Sequence, residues 1–406
     1  MNRIDRTLVM LLLSNAFASV GIGVAMIAVP WMLASMTGGG VLFGVLITVA
    51  NIALAVMTPW TGAFIDSLRR KSFMIGLRAA FIAGLAAVLF LALIDVPREV
   101  ALVLYYVMGA AFYAINIPLR TAFVQELYDG SAYRRVNSIL EIENQVAAVI
   151  TGGVAILLME RVGLPMIVVL NIGCLAVAIL CIAAITHTAN AALMVRKNPV
   201  QDIRDGIAIM MRERRLSIVL MVASLPYVTV ILYTYLHPVA LSQLLSLSGD
   251  VYALVEVFFA AGAILGGWAI LTVTIPAHRL EATIRVLVGL FASVAIVQAL
   301  LPTKAAFLTV AILFGLLNAV IRILRQTVLM DRAAPAEIGR IGAFLQCWIM
   351  TLRAIFLGAL TALVAGVGVV PALWLAALLP FAGWLVLRAL PLHDDTQFSR
   401  SQEALQ

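Results

Sequence analysis

Nine ionisable side chains interrupt stretches of sequence that are otherwise apolar: Arg78, Arg120, Arg322, Arg325 and Arg353, with Glu126, Glu141, Glu143 and Glu256. Their chemistry is binding and proton exchange rather than bond cleavage. A guanidinium is permanently charged and offers a planar fork of donors that suits a carboxylate or a catecholate. A carboxyl group in apolar surroundings exchanges its proton according to its neighbours: desolvation favours the neutral form, an adjacent arginine the charged form. Bond-making chemistry has no comparable set. The histidines His187, His237, His278 and His393 are scattered, and neither a zinc-spaced cluster nor a Ser–His pair is present, which argues against a membrane enzyme. Cys174, Cys181 and Cys347 all fall in apolar stretches and imply no disulfide or metal framework. No phosphate-binding P-loop is present, so the chain carries no ATP-driven motor of its own.

These groups are embedded in a chain that only a bilayer can accommodate. Of 406 residues, 64% are hydrophobic and 12% charged. Soluble proteins of this length carry about twice that charged fraction. A water-facing fold could not hide so much apolar surface, whereas lipid accepts it. The net charge of +7 does not point to nucleic acid, because the basic residues sit in short runs between apolar segments. The opening Arg3 and Arg6 followed by a long apolar run resembles a signal peptide, but the run is too long for one and reads as a first spanning helix.

A span needs ~20 apolar residues. That rule predicts twelve, over 8–36, 41–65, 73–95, 99–126, 137–160, 163–186, 216–246, 251–275, 282–301, 305–330, 338–366 and 369–390. The connections are short apart from 187–215. There Val200 to Ile207 and Arg212 to Arg215 read as an amphipathic helix on the membrane surface. With the N-terminus inside, 19 Lys and Arg fall in inside segments and 3 outside, which orients the chain with both termini cytoplasmic in an inner membrane.

The chain also repeats itself at an offset of 205 residues. Arg120 falls on Arg325, Arg135 on Arg340, Gly62 on Gly267, Gly153 on Gly358 and Glu141 on Gln346, with no gap between these points. The expectation is an all-α membrane protein of two six-helix bundles related by a pseudo-two-fold axis along the membrane normal. The halves are expected over 1–186 and 216–392, with 187–215 a cytoplasmic linker and 393–406 a cytoplasmic tail. Parallel repeats of this kind place a solute path between the halves, near the midplane.

Helical phase gathers the polar residues into stripes. Span 4 aligns Gly109, Tyr113, Asn116 and Arg120; span 10 aligns Gly315, Asn318, Arg322 and Arg325. Span 5 aligns Asn137, Glu141, Asn144 and Thr151, and span 11 aligns Gln346 with Arg353. Such stripes should face a wet interior. The predicted solute contacts are therefore Tyr113, Asn116, Glu141, Asn144, Tyr227, Asn318, Arg322, Gln346 and Arg353. Glu256 shares a face with Tyr252 and Phe259 and is the candidate proton carrier, along with Glu141; its bland alternative is an ion pair with Arg353. Arg120 and Arg325 are expected to pair with Glu126, Glu141 or Asp331 as locks near the inner end. Arg78 is expected to anchor at inner headgroups. Trp31, Tyr233 and Tyr235 fit an interfacial aromatic belt, and Met26 ordinary packing.

After span 2 stands Gly62-Ala63-Phe64-Ile65-Asp66-Ser67-Leu68-Arg69-Arg70-Lys71. It resembles the loop 2–3 motif of the major facilitator superfamily: a glycine for close packing, an aspartate four residues on, then a basic cluster. Ser67 stands where that family usually has a basic residue, and Arg69 where it has glycine. Pro118-Leu119-Arg120-Thr121-Ala122, Arg135-Val136-Asn137-Ser138 and Gly152-Gly153 resemble the subgroup of enterobactin exporters and macrolide-efflux proteins, which has Gly-Pro at the last position.

The resemblance implies a secondary transporter with alternating access, gated by Gly62, Asp66, Arg69, Arg70, Arg120, Arg325 and Asp331. It implies a monomer in the lipid bilayer with no cofactor, using the proton gradient as energy source. Three arginines against one acid within the spans of the second half point to an anionic or mixed-charge small-molecule substrate, such as a siderophore, over a lipophilic cation. The residues leave the direction open: a proton-coupled exporter of a siderophore or drug, or an importer of a ferric siderophore or other organic anion.

Overall fold

The computed structural model describes residues 6–66, 69–94, 96–128, 130–158, 162–186, 199–273, 275–333 and 337–391. The first bundle comprises α1 (Arg6–Ala34), α2 (Gly39–Asp66), α3 (Arg70–Leu93), α4 (Arg98–Leu127), α5 (Gly130–Leu158) and α6 (Leu164–Ala183). A helix in the connection, α7 (Pro199–Arg212), follows. The second bundle comprises α8 (Arg214–Val222), α9 (Leu225–Val239), α10 (Gly249–Thr272), α11 (Leu280–Leu300), α12 (Lys304–Arg332), α13 (Ile338–Gly366) and α14 (Val369–Ala389). An apolar solvent leaves backbone polar groups no outside partner, so each spanning stretch closes its own hydrogen bonds as a helix.

Eleven segments among the described residues are long and apolar enough to cross a membrane, with α8, α9 and the turn after them counted as one. The exception is α5, apolar only over Val146–Leu158. Its first half carries Asn137, Glu141, Glu143 and Asn144 in the same continuous helix of 29 residues. The seventh predicted span also differs from expectation, because it is not one helix. It breaks between Val222 and Leu225, where Pro226 lacks the N–H that would continue the ladder, and ends in a π-helical turn, Ala240–Leu244, just past Pro238.

Close helix contact is made by small residues. A Cβ on Gly262 of α10 would stand 2.0 Å from the Ile312 carbonyl oxygen of α12, and one on Gly315 of α12 would stand 2.0 Å from the Phe259 carbonyl of α10. Backbone against backbone on both sides leaves no flexible group to yield. The connection helix α7 lies against α13: Arg212 reaches Glu337 at 3.1 Å and Arg340 reaches Asp205 at 3.8 Å. Ile209 and Met210 are buried in that contact, while Ile207 and Met211 are exposed.

Arg78 departs from the sequence expectation. It is not at a headgroup level but 0% exposed, inside the first bundle. Its Nη1 donates to the Ser14 hydroxyl at 2.5 Å and to the Ala178 carbonyl at 3.0 Å, tying α3 to α1 and α6. The twelve residues before it and the apolar run after it gave no hint of this, since only packing against Ser14 distinguishes a buried arginine from a snorkelling one. The interfacial belt is corrected in the same way: Tyr233 and Tyr235 are both fully buried.

The α10–α12 contact yields a direct test. Gly315→Leu should cost about 1–3 kcal/mol through forced separation of the helices. It should lower the thermal unfolding midpoint of the detergent-purified protein, whereas Gly267→Leu, which meets nothing within 4 Å, should leave it unchanged.

Candidate functional site

Each bundle carries a charged cluster. In the second, Arg353 on α13 lies within electrostatic range of Tyr227 on α9 and of Tyr106 on α4, and so reaches across to the first bundle. Arg325 on α12 is in range of Arg322 and Tyr227. No acid pairs with Arg353 or Arg325 among the described residues; Nε of Arg353 and Nη1 of Arg325 are buried without a hydrogen-bond partner. Arg322 is exposed, nine residues from the exposed Leu313 and hence on the opposite side of α12. Gln346 is exposed on the face of α13 that also carries Arg353, and Asn318 is buried.

In the first bundle, Nη1 of Arg120 on α4 donates to the Asn144 side-chain oxygen of α5 at 2.9 Å. Tyr113 lies in electrostatic range of the same guanidinium, and so does Glu143. The side-chain oxygen of Asn116 is buried and unpartnered. The repeat explains why the two arginines differ. At the 205-residue offset Asn144 becomes Ile349 and Glu143 becomes Trp348. Arg325 therefore has neither the amide nor the carboxylate that its counterpart meets.

Glu256 is half-buried on α10 beside Tyr252. The alternative of an ion pair with Arg353 is not formed. Tyr252 belongs to an aromatic clasp that joins the bundles. It stacks on Trp31 of α1 with ring centroids 5.9 Å apart and planes 17° from parallel. Phe43 of α2 meets Tyr106 edge-on at 5.5 Å and Tyr235 of α9 at 5.7 Å. Each such pair contributes ~0.5–1.5 kcal/mol beyond burial. Hydrogen bonds close the same end: the Tyr235 hydroxyl donates to the Gly40 carbonyl at 3.1 Å, and the Gln243 amide donates to the Ala34 carbonyl at 2.9 Å. A Cβ on Gly44 of α2 would stand 2.5 Å from the Thr361 hydroxyl of α13, so the helices touch there.

The opposite, basic end is held differently. Arg70 donates to the Ala122 carbonyl at 2.9 Å and approaches Glu126 at 3.7 Å, and Lys71 reaches the Ala183 and Ile185 carbonyls at 3.0 and 2.6 Å. In the second bundle Glu281 accepts from Arg215 at 2.6 Å and faces Arg332 at 3.6 Å. Both networks stay inside their own bundle, and among the described residues no ion pair joins α1–α6 to α8–α14 at this end. Glu126 is thus engaged by Arg70 rather than by Arg120. Arg69 and Asp331 are exposed. The surroundings of Gly62 and the side chains of Asp66 and Glu141 lie outside the described residues.

Sequence reasoning passed over Tyr106, Phe43, Gln243 and Glu143 as site residues. Phase could have found Tyr106, which continues the Gly109–Tyr113 stripe toward the far end. Nothing local marks Phe43 or Gln243, whose partners are some two hundred residues away.

A sequence model of the Major Facilitator Superfamily matches residues 11–358. No curated protein sequence matches the chain significantly. Among solved structures, the nucleoside transporter NupG superposes with a TM-score of 0.68 at 13% identity, covering 95% of this chain and 99% of its own. A bacterial homologue of the iron transporter ferroportin in an inward-facing state gives 0.69 at 16% identity, covering 96% and 100%. A D-xylose–proton symporter gives 0.68 at 12%, covering 95% and 98%. At these identities the likeness is one of fold.

The clasp can be locked. With Gly44→Cys and Thr361→Cys together, the sulfurs fall within disulfide reach. Oxidation should join the bundles, seen as a single band on a denaturing gel after proteolytic cutting between α6 and α7. Two separate fragments after oxidation would mean that this end is not closed.

Proposed function

We propose, from the premise that this chain belongs to the major facilitator superfamily, that it exports a small organic anion in exchange for protons. Membership makes it a multi-pass membrane transporter rather than an enzyme. The two bundles, over 1–186 and 216–392, rock about a central site, and 187–215 links them. The excess of basic residues orients that end toward the cytoplasm, in the inner membrane, and the protein acts as a monomer.

One observation carries the choice of substrate: Arg353 sits between the bundles, facing Tyr106 and Tyr227, with no acid beside it. An uncompensated charge in a low-dielectric interior costs several kcal/mol. A ligand carboxylate or catecholate supplies the missing charge, and a guanidinium fork accepts it in two parallel hydrogen bonds. The phenol and indole rings of Tyr106, Tyr227 and Trp31 suit the flat, partly apolar body of a siderophore-like chelator. Asn116, Tyr113, Asn144, Asn318 and Gln346 offer amide and hydroxyl partners at the rim, with Arg322 guiding the anion in. Glu256, next to Tyr252 and without an ion-pair partner among the described residues, takes the proton. The ends close in turn. The aromatic clasp seals one side, and Gly62, Asp66, Arg69, Arg70, Arg120, Arg325 and Asp331 gate the other.

The test compares solutes inside and outside a deletion strain grown with and without iron. A chelator should build up inside the mutant, and Arg353→Ala should restore less than a tenth of the export that the wild-type chain restores, since stranding a buried charge costs ~2–5 kcal/mol. In proteoliposomes Glu256→Gln should weaken the response to a pH gradient while substrate counterflow persists. Lipophilic cations as the only substrates, with Arg322→Ala and Arg353→Ala unimpaired, would overturn the reading. Net inward accumulation of the anion would reverse its direction.

A further inference from the structure

We propose that Glu143 is a second proton-binding carboxylate, in the first bundle, and that Arg120 exchanges between Asn144 and Glu143 as the bundles rock. The purpose of the device rests on the transport reading above; its geometry does not.

Glu143 lies near the middle of α5, and both its carboxyl oxygens are buried with no hydrogen-bond partner. The next residue, Asn144, holds the Arg120 guanidinium at 2.9 Å. The arginine is thus within range of the acid but bonded to its neighbour. A buried carboxylate without donors is expensive, and the neutral acid is the form that such a place tolerates. A guanidinium that turned to it would reverse that preference.

Among the described residues, Arg120 is the charged group in range of Glu143. Along α4 the other charged residues are Arg98 and Glu99 in the first turn and Glu126, which faces Arg70. Tyr113 lies on the Arg120 side. Helix α1 brings Arg6 alone, in its first turn. Helix α10 brings Asp250, in its first turn, and Glu256, next to Val257, which meets Gly152 nine residues up α5 and so ~13 Å away along its axis. On α5 itself, Arg134, Arg135 and Glu141 precede Glu143, and their side chains lie outside the described residues.

Neighbouring residues on a helix point ~100° apart, so Asn144 and Glu143 present their heads on different sides of α5. A modest roll or slide of α4 against α5 carries a long arginine side chain from one to the other. In the conformation closed at the aromatic clasp, Asn144 has the arginine and Glu143 keeps its proton. In the other conformation Arg120 pairs with Glu143, and the proton leaves to the water on the open side. Arg120 remains a cation throughout, so the step is the loss of one proton from one carboxyl group. The second bundle cannot do this, because Trp348 and Ile349 stand at the equivalent positions.

The experiment is infrared difference spectroscopy of the full-length protein in lipid, scanned through pH without any substrate. The wild type should show the stretch of protonated carboxyl groups at neutral pH, with one component lost in Glu143→Gln and kept in Glu256→Gln. Asn144→Leu removes the competing acceptor, so Arg120 should turn to Glu143 and lower the pH midpoint of that band by about 1–3 units, the range that an adjacent arginine produces. Arg120→Gln should raise it instead. If Glu143→Gln does not fold, the opposite shifts in the other two variants still decide the matter. No component lost in Glu143→Gln, or a Glu143 component that neither Asn144→Leu nor Arg120→Gln moves, overturns the proposal. Flux indifferent to the proton gradient, with the band present and movable, would instead remove the coupling assigned under the proposed function.

Discussion

The bundles meet at one end through contacts that lipid cannot replace. Trp31 stacks on Tyr252, Phe43 wedges between Tyr106 and Tyr235, and Tyr235 and Gln243 donate to backbone carbonyls of α2 and α1. In hydrocarbon there is little hydrophobic drive between helices, so association rests on close packing and on polar groups finding partners. This clasp supplies both at once. At the basic end, among the described residues, each bundle keeps its ion pairs to itself.

Symmetry and its breaking divide the labour between the halves. The repeat gives each bundle an arginine in the same place, Arg120 and Arg325, but different neighbours. Asn144 engages the first, and Ile349 leaves the second without an amide. The first guanidinium is hydrogen-bonded within its bundle, whereas Nη1 of the second is buried without a hydrogen-bond partner. The same logic separates Arg78, satisfied in part by Ser14 and the Ala178 carbonyl deep in the first bundle, from Arg353, which faces phenols across the gap.

Breaks in the regular helices fall beside prolines. The spanning segment that carries Tyr227, Tyr235 and Gln243 is interrupted at Pro226 and again past Pro238, where a π-helical turn delivers Gln243 to Ala34. Helix α10 and helix α12, in contrast, are held backbone to backbone at Gly262 and Gly315. One element is interrupted at prolines and a π-helical turn, whereas its neighbours are continuous and packed backbone to backbone.

Much of this was legible from sequence because the bilayer is a simple solvent. Stretches of ~20 apolar residues must span it as helices, and polar stripes at helical spacing must face inward. The helix inventory, the two halves at a 205-residue offset, and the shared faces of Tyr113 with Arg120 and of Gln346 with Arg353 followed from those constraints. Composition could not say which buried charge has a partner. Nothing along the chain says that Ser14 holds Arg78 inside its bundle while Arg353 meets no acid among the described residues, or that Glu126 meets Arg70 while the oxygens of Glu143 have no donor. The difference lies in a serine hydroxyl sixty-four residues away, an asparagine on the next helix, or the lack of either. Hydropathy and phase are properties of one helix, whereas the cost or use of a buried charge depends on atoms within a few ångströms on other helices. Those only the tertiary structure brings together.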